Sequence, residues 1–219
     1  MAHSMFRALM VLAVLGLAAT LSAGPITITF EGVADNSAVG NFYIGQGITF
    51  ANAFAAIDSD AGGSWSFANE PSASTVVSNF NGNTLATMVM SVAGGFTGPF
   101  TFFYNADTIG TVSVKDGLNG AGSTLGSAAL GNNRGSCGAA GDPNPPAASG
   151  NVSCWTQVSI PFAGTASSVV LASNLGLYFF DNLGLNLVDQ GPGIPEPGSL
   201  GLMLAGGLAL ALGRRYLKR

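Results

Sequence analysis

Histidine is almost absent from this chain: among 219 residues there is one, His3. Cysteine occurs twice, at Cys137 and Cys154, and charged residues make up 8% of the whole. Cations are scarcer still away from the two ends. Between residues 24 and 190 only Lys115 and Arg134 are basic, against ten acids, so that stretch carries a formal charge of −8. Each shortage excludes something. With no histidine beside a serine or cysteine, the nucleophile–base triads are gone. With no histidine near the two cysteines, a Cys/His zinc set is also gone. So acidic a surface repels nucleic acid and anionic membrane, and it favours divalent cations. No window between 24 and 190 sustains a helical period, so a helical fold is excluded as well.

What is present in that stretch is β vocabulary. Glycine is plentiful, 32 residues in all, and Thr, Ser, Val and Phe are common. Short alternating runs are separated by Gly, Asn and Asp. They fall at 25–30, 42–50, 64–67, 75–78, 84–92, 99–104, 111–115, 155–162, 166–172, 177–181 and 183–188. The run at 99–104 holds Phe100, Phe102, Phe103 and Tyr104, which predicts a central strand buried on both faces. Asp116-Gly117-Leu118-Asn119-Gly120 supplies turn residues that tolerate positive φ. About ten short strands at near-regular spacing predict an all-β fold, a β-sandwich or jelly roll. Residues 24–190 are enough for one such domain.

The cysteines are read as a disulfide, since their number is even and the chain carries export features. Such a bridge closes a loop of about 17 residues and contributes about 3 kcal/mol in the chain-entropy model. It would pin the Gly141-Asp142-Pro143-Asn144-Pro145-Pro146 excursion, which cannot form regular structure.

Both ends read as targeting segments. Residues 1–23 have Arg7, an apolar run over 8–19, and small residues up to Ala23. This is the pattern of a helical signal peptide cleaved after Ala23, delivering the chain to the Sec translocon. The other end changes character three times. Residues 191–197 form a linker ending in Pro195-Glu196-Pro197, whose prolines hold it extended. Residues 198–213 are free of charge and predict a single transmembrane helix about 24 Å long. Residues 214–219 are basic, with Arg214, Arg215, Lys218 and Arg219 as a cytoplasmic stop-transfer mark.

That order resembles the PEP-CTERM sorting signal of Gram-negative bacteria. The resemblance covers about the last 25 residues. It implies recognition and removal of the tail by an exosortase, a membrane processing enzyme that supplies its own catalytic cysteine. It also implies an inner-membrane-anchored precursor, and then a destination at the cell surface or in the extracellular matrix. A second, weaker resemblance rests on Ile28-Thr29-Phe30-Glu31-Gly32, Gly47-Ile48-Thr49-Phe50, the segment 112–120 with Leu125, and Phe180-Asp181-Asn182-Leu183. These look like the jelly-roll ectodomains of PEP-CTERM proteins, themselves similar to carbohydrate-binding modules. What this implies is a structural or adhesive role, with carbohydrate binding as the alternative and an extracellular polysaccharide as partner.

Candidate chemistry is sparse. The second resemblance implies a structural calcium ion, the one cofactor in view, between the first and last strands, with Glu31 and Asp181 as ligands. The alternative is that Glu31 caps a turn and Asp181-Asn182 forms an Asx turn. Asp58-Ser59-Asp60 lacks the Gly and Glu of a calcium loop and reads as a solvated turn. Trp65 and Tyr43 are the candidate glycan platform, with Phe67 and Trp155 as further aromatics. Ten acids allow a glycosidase pair, but none is singled out by spacing, so the expected domain is not an enzyme.

Overall fold

The computed structural model describes residues 24–135, 152–171 and 176–188. They belong to one compact unit, Ala23–Val188. The signal segment, Cys137, the Pro-Glu-Pro motif, the apolar run and the basic cluster lie outside the described residues, and so do the helices expected at both ends. Among the described residues no helix is long and apolar enough to cross a membrane.

Ten strands run antiparallel to their neighbours: β1 Pro25–Ile28, β2 Ile48–Ala51, β3 Phe54–Ile57, β4 Thr75–Ser78, β5 Met88–Ala106, β6 Gly110–Lys115, β7 Thr124–Leu130, β8 Thr156–Ile160, β9 Ala166–Leu171 and β10 Tyr178–Leu187. The all-β expectation therefore holds. Where it fails in detail, the cause is strand length. Two pairs of runs that the sequence separates are each one long strand.

The first of these is β5, which merges the runs at 84–92 and 99–104. Its first half, around Met88–Val92, pairs with β2 and β9. Its second half, around Phe100–Ala106, pairs with β10 and β8. Between them the register with β9 breaks from Ser91 to Phe96, and Gly95 adopts φ 78°. The left-handed conformation costs glycine little and lets the strand change sheets. β5 thus belongs to two layers: β2, β5, β9, β6 and β7 form one, and β3, β4, β10, β5 and β8 the other, with β1 beside β10. Sandwich-like packing follows from that shared strand.

The second long strand is β10, which joins 177–181 to 183–188 across a bulge. Asp181 pairs with Phe103 and Gly184 with Thr101, leaving one extra residue on β10. Asn182 sits there at φ 51°. The extra residue shifts which side chains face inward, so Tyr178 and Phe180 precede it in the core and Leu183 and Leu185 follow it. The main core also holds Ile28, Ile48, Met88, Met90, Phe96, Phe100, Phe102, Val112, Val114, Val169 and Leu171.

Smaller differences follow from turns. Residues 42–47 are turn and a single 3-10 turn, Ile44–Gln46, so only β2 survives from the run at 42–50. Residues 64–67 form no strand but a lone bridge, Trp65 to Asp58. β3 and β7 have no counterpart among the expected runs, because FAAI and TLGSAAL lack the polar–apolar alternation that marks a strand. The turn expected at 116–120 is present, with Asn119 at φ 57° and Gly120 at φ 77°. It is fastened by Ser91 and Ser168, whose hydroxyls accept the N–H groups of Asn119 and Gly120 at 3.1 and 3.0 Å.

Candidate functional site

Two features of the domain are arranged for more than packing. The first begins where β1 ends. Phe30 is fully buried yet takes φ 64°, unusual for a bulky residue. It turns the chain so that Glu31 reaches the entry of β4. Glu31 Oε1 accepts the N–H groups of Ser74 and Thr75 at 3.0 and 2.9 Å, and Oε2 accepts the Thr75 hydroxyl at 3.0 Å. Asp181 lies at the β10 bulge with none of its surface exposed. Its carboxylate accepts the Ser72 N–H and hydroxyl, each at 2.8 Å, and the Asn182 N–H at 2.7 Å. Both carboxylates therefore hold the same segment, 72–75, against the first and last strands.

The electrostatics are unfavourable to two charges. Burial pushes the Asp181 carboxyl up to about 6; the Ser72 and Asn182 hydrogen bonds hold it down, and the nearby Glu31 carboxylate raises it further. Tyr43 shares this corner. Burial raises its hydroxyl pKa, a hydrogen bond with the Phe30 backbone lowers it, and the fields of Glu31 and Asp181 raise it again. Among the described residues the one ion pair is Arg134 with Asp107, at 3.6 Å, so neither Glu31 nor Asp181 is paired with a cation. The donor set is all oxygen, which suits a hard divalent ion such as calcium. Among the described residues, no group of three or more His, Cys, Asp and Glu is gathered for a metal. Glu31 accepts the N–H groups at the entry to β4, Asp181 accepts the N–H of the next residue and not the one two residues on as in an Asx turn, and the two carboxyls lie within each other's field.

The second feature is a cleft of about 490 Å³ on the outer face of the layer that contains β10, β5 and β8. It is lined by Asn69, Pro71, Phe103, Ser153, Cys154, Trp155 and Thr156. Phe103 points outward because its neighbours Phe102 and Tyr104 point into the core. This corrects the expectation that the run at 99–104 is buried on both faces: Thr101 and Phe103 are only half-buried. One wall is the 69–71 segment and the other is 153–156. Asn69 Nδ2 joins them, donating to the Ser153 carbonyl at 3.2 Å. The Trp155 indole N–H donates to the Ala68 carbonyl at 3.1 Å, which fixes the ring. Behind this wall Asn105 donates to the Cys154 carbonyl at 3.0 Å, while its Oδ1 is buried without a partner.

Of the aromatics expected as a glycan platform, Trp65, Phe67 and Trp155 pack together and Tyr43 lies apart from them. Tyr43 packs edge-on against Phe30 and Phe50 beside the carboxylates. Trp65 stacks on Phe67 at 6.1 Å and meets Phe179 at 5.4 Å, and its N–H donates to Asn36 Oδ1 at 3.0 Å. Phe67 is fully buried and is therefore core. Trp155 alone of the four lines the cleft, opposite Phe103 and Pro71. Asp58 is a correction: it is 1% exposed instead of solvated. Its Oδ1 accepts the N–H groups of Ser59 and Phe67 at 2.7 and 2.9 Å, which makes burial tolerable although it raises the carboxyl pKa. Cys154 is at the cleft wall, and its expected partner Cys137 is outside the described residues.

No protein-family model matches the chain, and no curated protein matches it. Solved structures similar in outline include the K2 cleaved adhesin domain of Lys-gingipain, at 13% identity and TM-score 0.46, covering 75% of this chain and 98% of that one. The K1 adhesin domain of Lys-gingipain from Porphyromonas gingivalis W83 gives 10% identity and TM-score 0.44 over the same shares. The CBM22-1–GH10 modules of a Clostridium thermocellum xylanase give 11% identity and TM-score 0.39, over 76% of this chain and 29% of that one. Likeness at this level says nothing about what the present chain binds.

The cleft was hidden from the sequence. Asn69, Pro71, Phe103 and Ser153 are far apart in the chain and meet only in the fold; of the lining, the sequence singled out Trp155 as an aromatic candidate and Cys154 as a disulfide partner.

Proposed function

We propose that this chain is an exported surface or matrix protein, sorted through Pro195-Glu196-Pro197 and the segment behind it by an exosortase-type enzyme. The observation that carries the reading is the order of a Pro-Glu-Pro tripeptide, sixteen uncharged residues at 198–213, and four cations between 214 and 219. Its domain layout supports it. The compact unit Ala23–Val188 ends before the Pro-Glu-Pro motif, the apolar run and the basic cluster. The C-terminal mass of the protein recovered from cells tests the reading. A mature end near Pro195 is expected, and an intact Arg219 in a surface-exposed population overturns it.

In this reading the sandwich is a structural or adhesive element. Calcium held by Glu31 and Asp181 would neutralise the buried Asp181 and the half-buried Glu31 and lock segment 72–75 to β1 and β10. A disulfide between Cys137 and Cys154 would fix the wall of the cleft. A second reading, a carbohydrate-binding module at the cell surface, is favoured by the uncharged aromatic cleft.

A further inference from the structure

We propose that the cleft between Asn69–Pro71 and Ser153–Thr156, floored by Phe103, is a binding subsite for a neutral polysaccharide chain. Its lining contains two aromatic rings, a proline, an amide, two hydroxyl side chains and no charged group. Sugar rings present flat C–H faces and polar edges, and this lining offers a match to both. The Phe103 and Trp155 rings meet the faces, since the negative face of an aromatic attracts C–H groups. At the edges stand the Asn69 amide, held by the Ser153 carbonyl, and the exposed Thr156 hydroxyl, which accepts from Asn133 at 2.8 Å, while the buried Ser153 hydroxyl donates to the Gly135 carbonyl at 3.0 Å. A volume of about 490 Å³ is within the range of small-ligand sites, and the cleft is open at the surface, so a polymer can enter as a segment.

Charge selects among polymers. The stretch 24–190 carries −8, which repels uronates and sulfated chains. A peptide added as a further strand would need the main-chain partners of an exposed sheet edge; Phe103 is instead in mid-sheet, between β10 and β8. Rigid supports hold the subsite. Trp155 is fixed by the Ala68 carbonyl, and the Cys154 carbonyl accepts from both Asn105 at 3.0 Å and Asn133 at 3.4 Å. A platform held this way loses little freedom on binding.

The inference rests on the surface reading for where such a chain is met, but the site can be tested apart from it. The full chain, in a detergent without a sugar headgroup, is titrated calorimetrically with β-1,4-linked hexaoses of glucose, mannose and xylose, and with a hexauronate. At least one neutral hexaose is expected to bind, and the hexauronate is not. Phe103→Ala and Trp155→Ala should each weaken binding at least about tenfold. Because Trp155 also packs on Phe67, Thr156→Asp is the second probe. It keeps an acceptor for Asn133 at an exposed position and should weaken binding with the melting temperature unchanged. Failure of all three neutral hexaoses, preference for the hexauronate, or binding indifferent to Phe103→Ala and Thr156→Asp overturns the subsite. A mature end near Pro195 with no hexaose binding sinks the subsite alone; hexaose binding with Arg219 intact at the surface sinks the sorting reading alone.

Discussion

Asp181 is the residue whose environment has the largest consequence. Its folded pKa, about 6, is above the ordinary carboxyl value of 3.8. A raised carboxyl pKa means that the folded state holds its proton more tightly than the unfolded chain does. Its stabilising effect is therefore fully present below about 3.8 and is lost as pH rises through about 6. The difference amounts to about 3 kcal/mol at most. In a metal-free buffer the melting temperature should rise on going from pH 7.5 to pH 5, and Asp181→Asn should flatten that profile. Millimolar calcium should raise the melting temperature at pH 7.5 in the wild type and leave Asp181→Asn unmoved. A wild-type melt that ignores calcium at pH 7.5 rules out the ion at this corner. Glu31 and Asp181 were both visible in the sequence as candidate partners. Their shared grip on Ser72, Ser74 and Thr75 was not, because more than forty residues separate Glu31 from Thr75 and more than a hundred separate Ser72 from Asp181.

At the scale of elements, the two long strands decide the architecture, and each depends on one backbone irregularity. Gly95 is where β5 changes partners. A Cβ there would meet Thr165 Cγ2 at 2.6 Å and the Ala166 carbonyl at 3.1 Å, and φ is 78°. Gly95→Ala should therefore cost about 1–3 kcal/mol, read as a lower urea midpoint with an unchanged slope. An unchanged midpoint would mean that the bend is set elsewhere. The sequence shows the Gly94-Gly95 pair and Asn182, and it marks them as breaks. They are breaks in register instead of chain direction, so each joins two runs into one strand. Local composition cannot distinguish a turn from a bulge, because both use residues that accept positive φ.

For the whole molecule, β1 and β10 close the sandwich from the two ends of the domain. β1 pairs with β10 from Pro25–Asn186 to Ile28–Leu183, and Ile28 is buried in the core. A chain beginning at residue 24 should melt as the full chain does. A chain beginning at residue 31 loses β1, exposes the edge of β10 and buries neither Ile28 nor Phe30. Thermal unfolding of the two truncations checks this, and equal melting temperatures would refute the role given to β1. The same closure places Glu31 beside Asp181, so the carboxylate corner is a product of the fold's circuit.

The sequence by itself determined the class of structure. Polar–apolar alternation with frequent glycine dictates strands, because side chains on a strand alternate between faces. The low count of His, Cys and basic residues removes whole classes of chemistry whatever the fold. The Pro-Glu-Pro, apolar and basic segments are read from covalent order alone. Tertiary structure decided which side chains meet. It put Trp65 with Phe67 and Phe179, Tyr43 with the carboxylates, and Trp155 with Phe103 and Asn69. Those groupings depend on bulges, register and long-range pairing, which arise only when distant strands bury their apolar faces together.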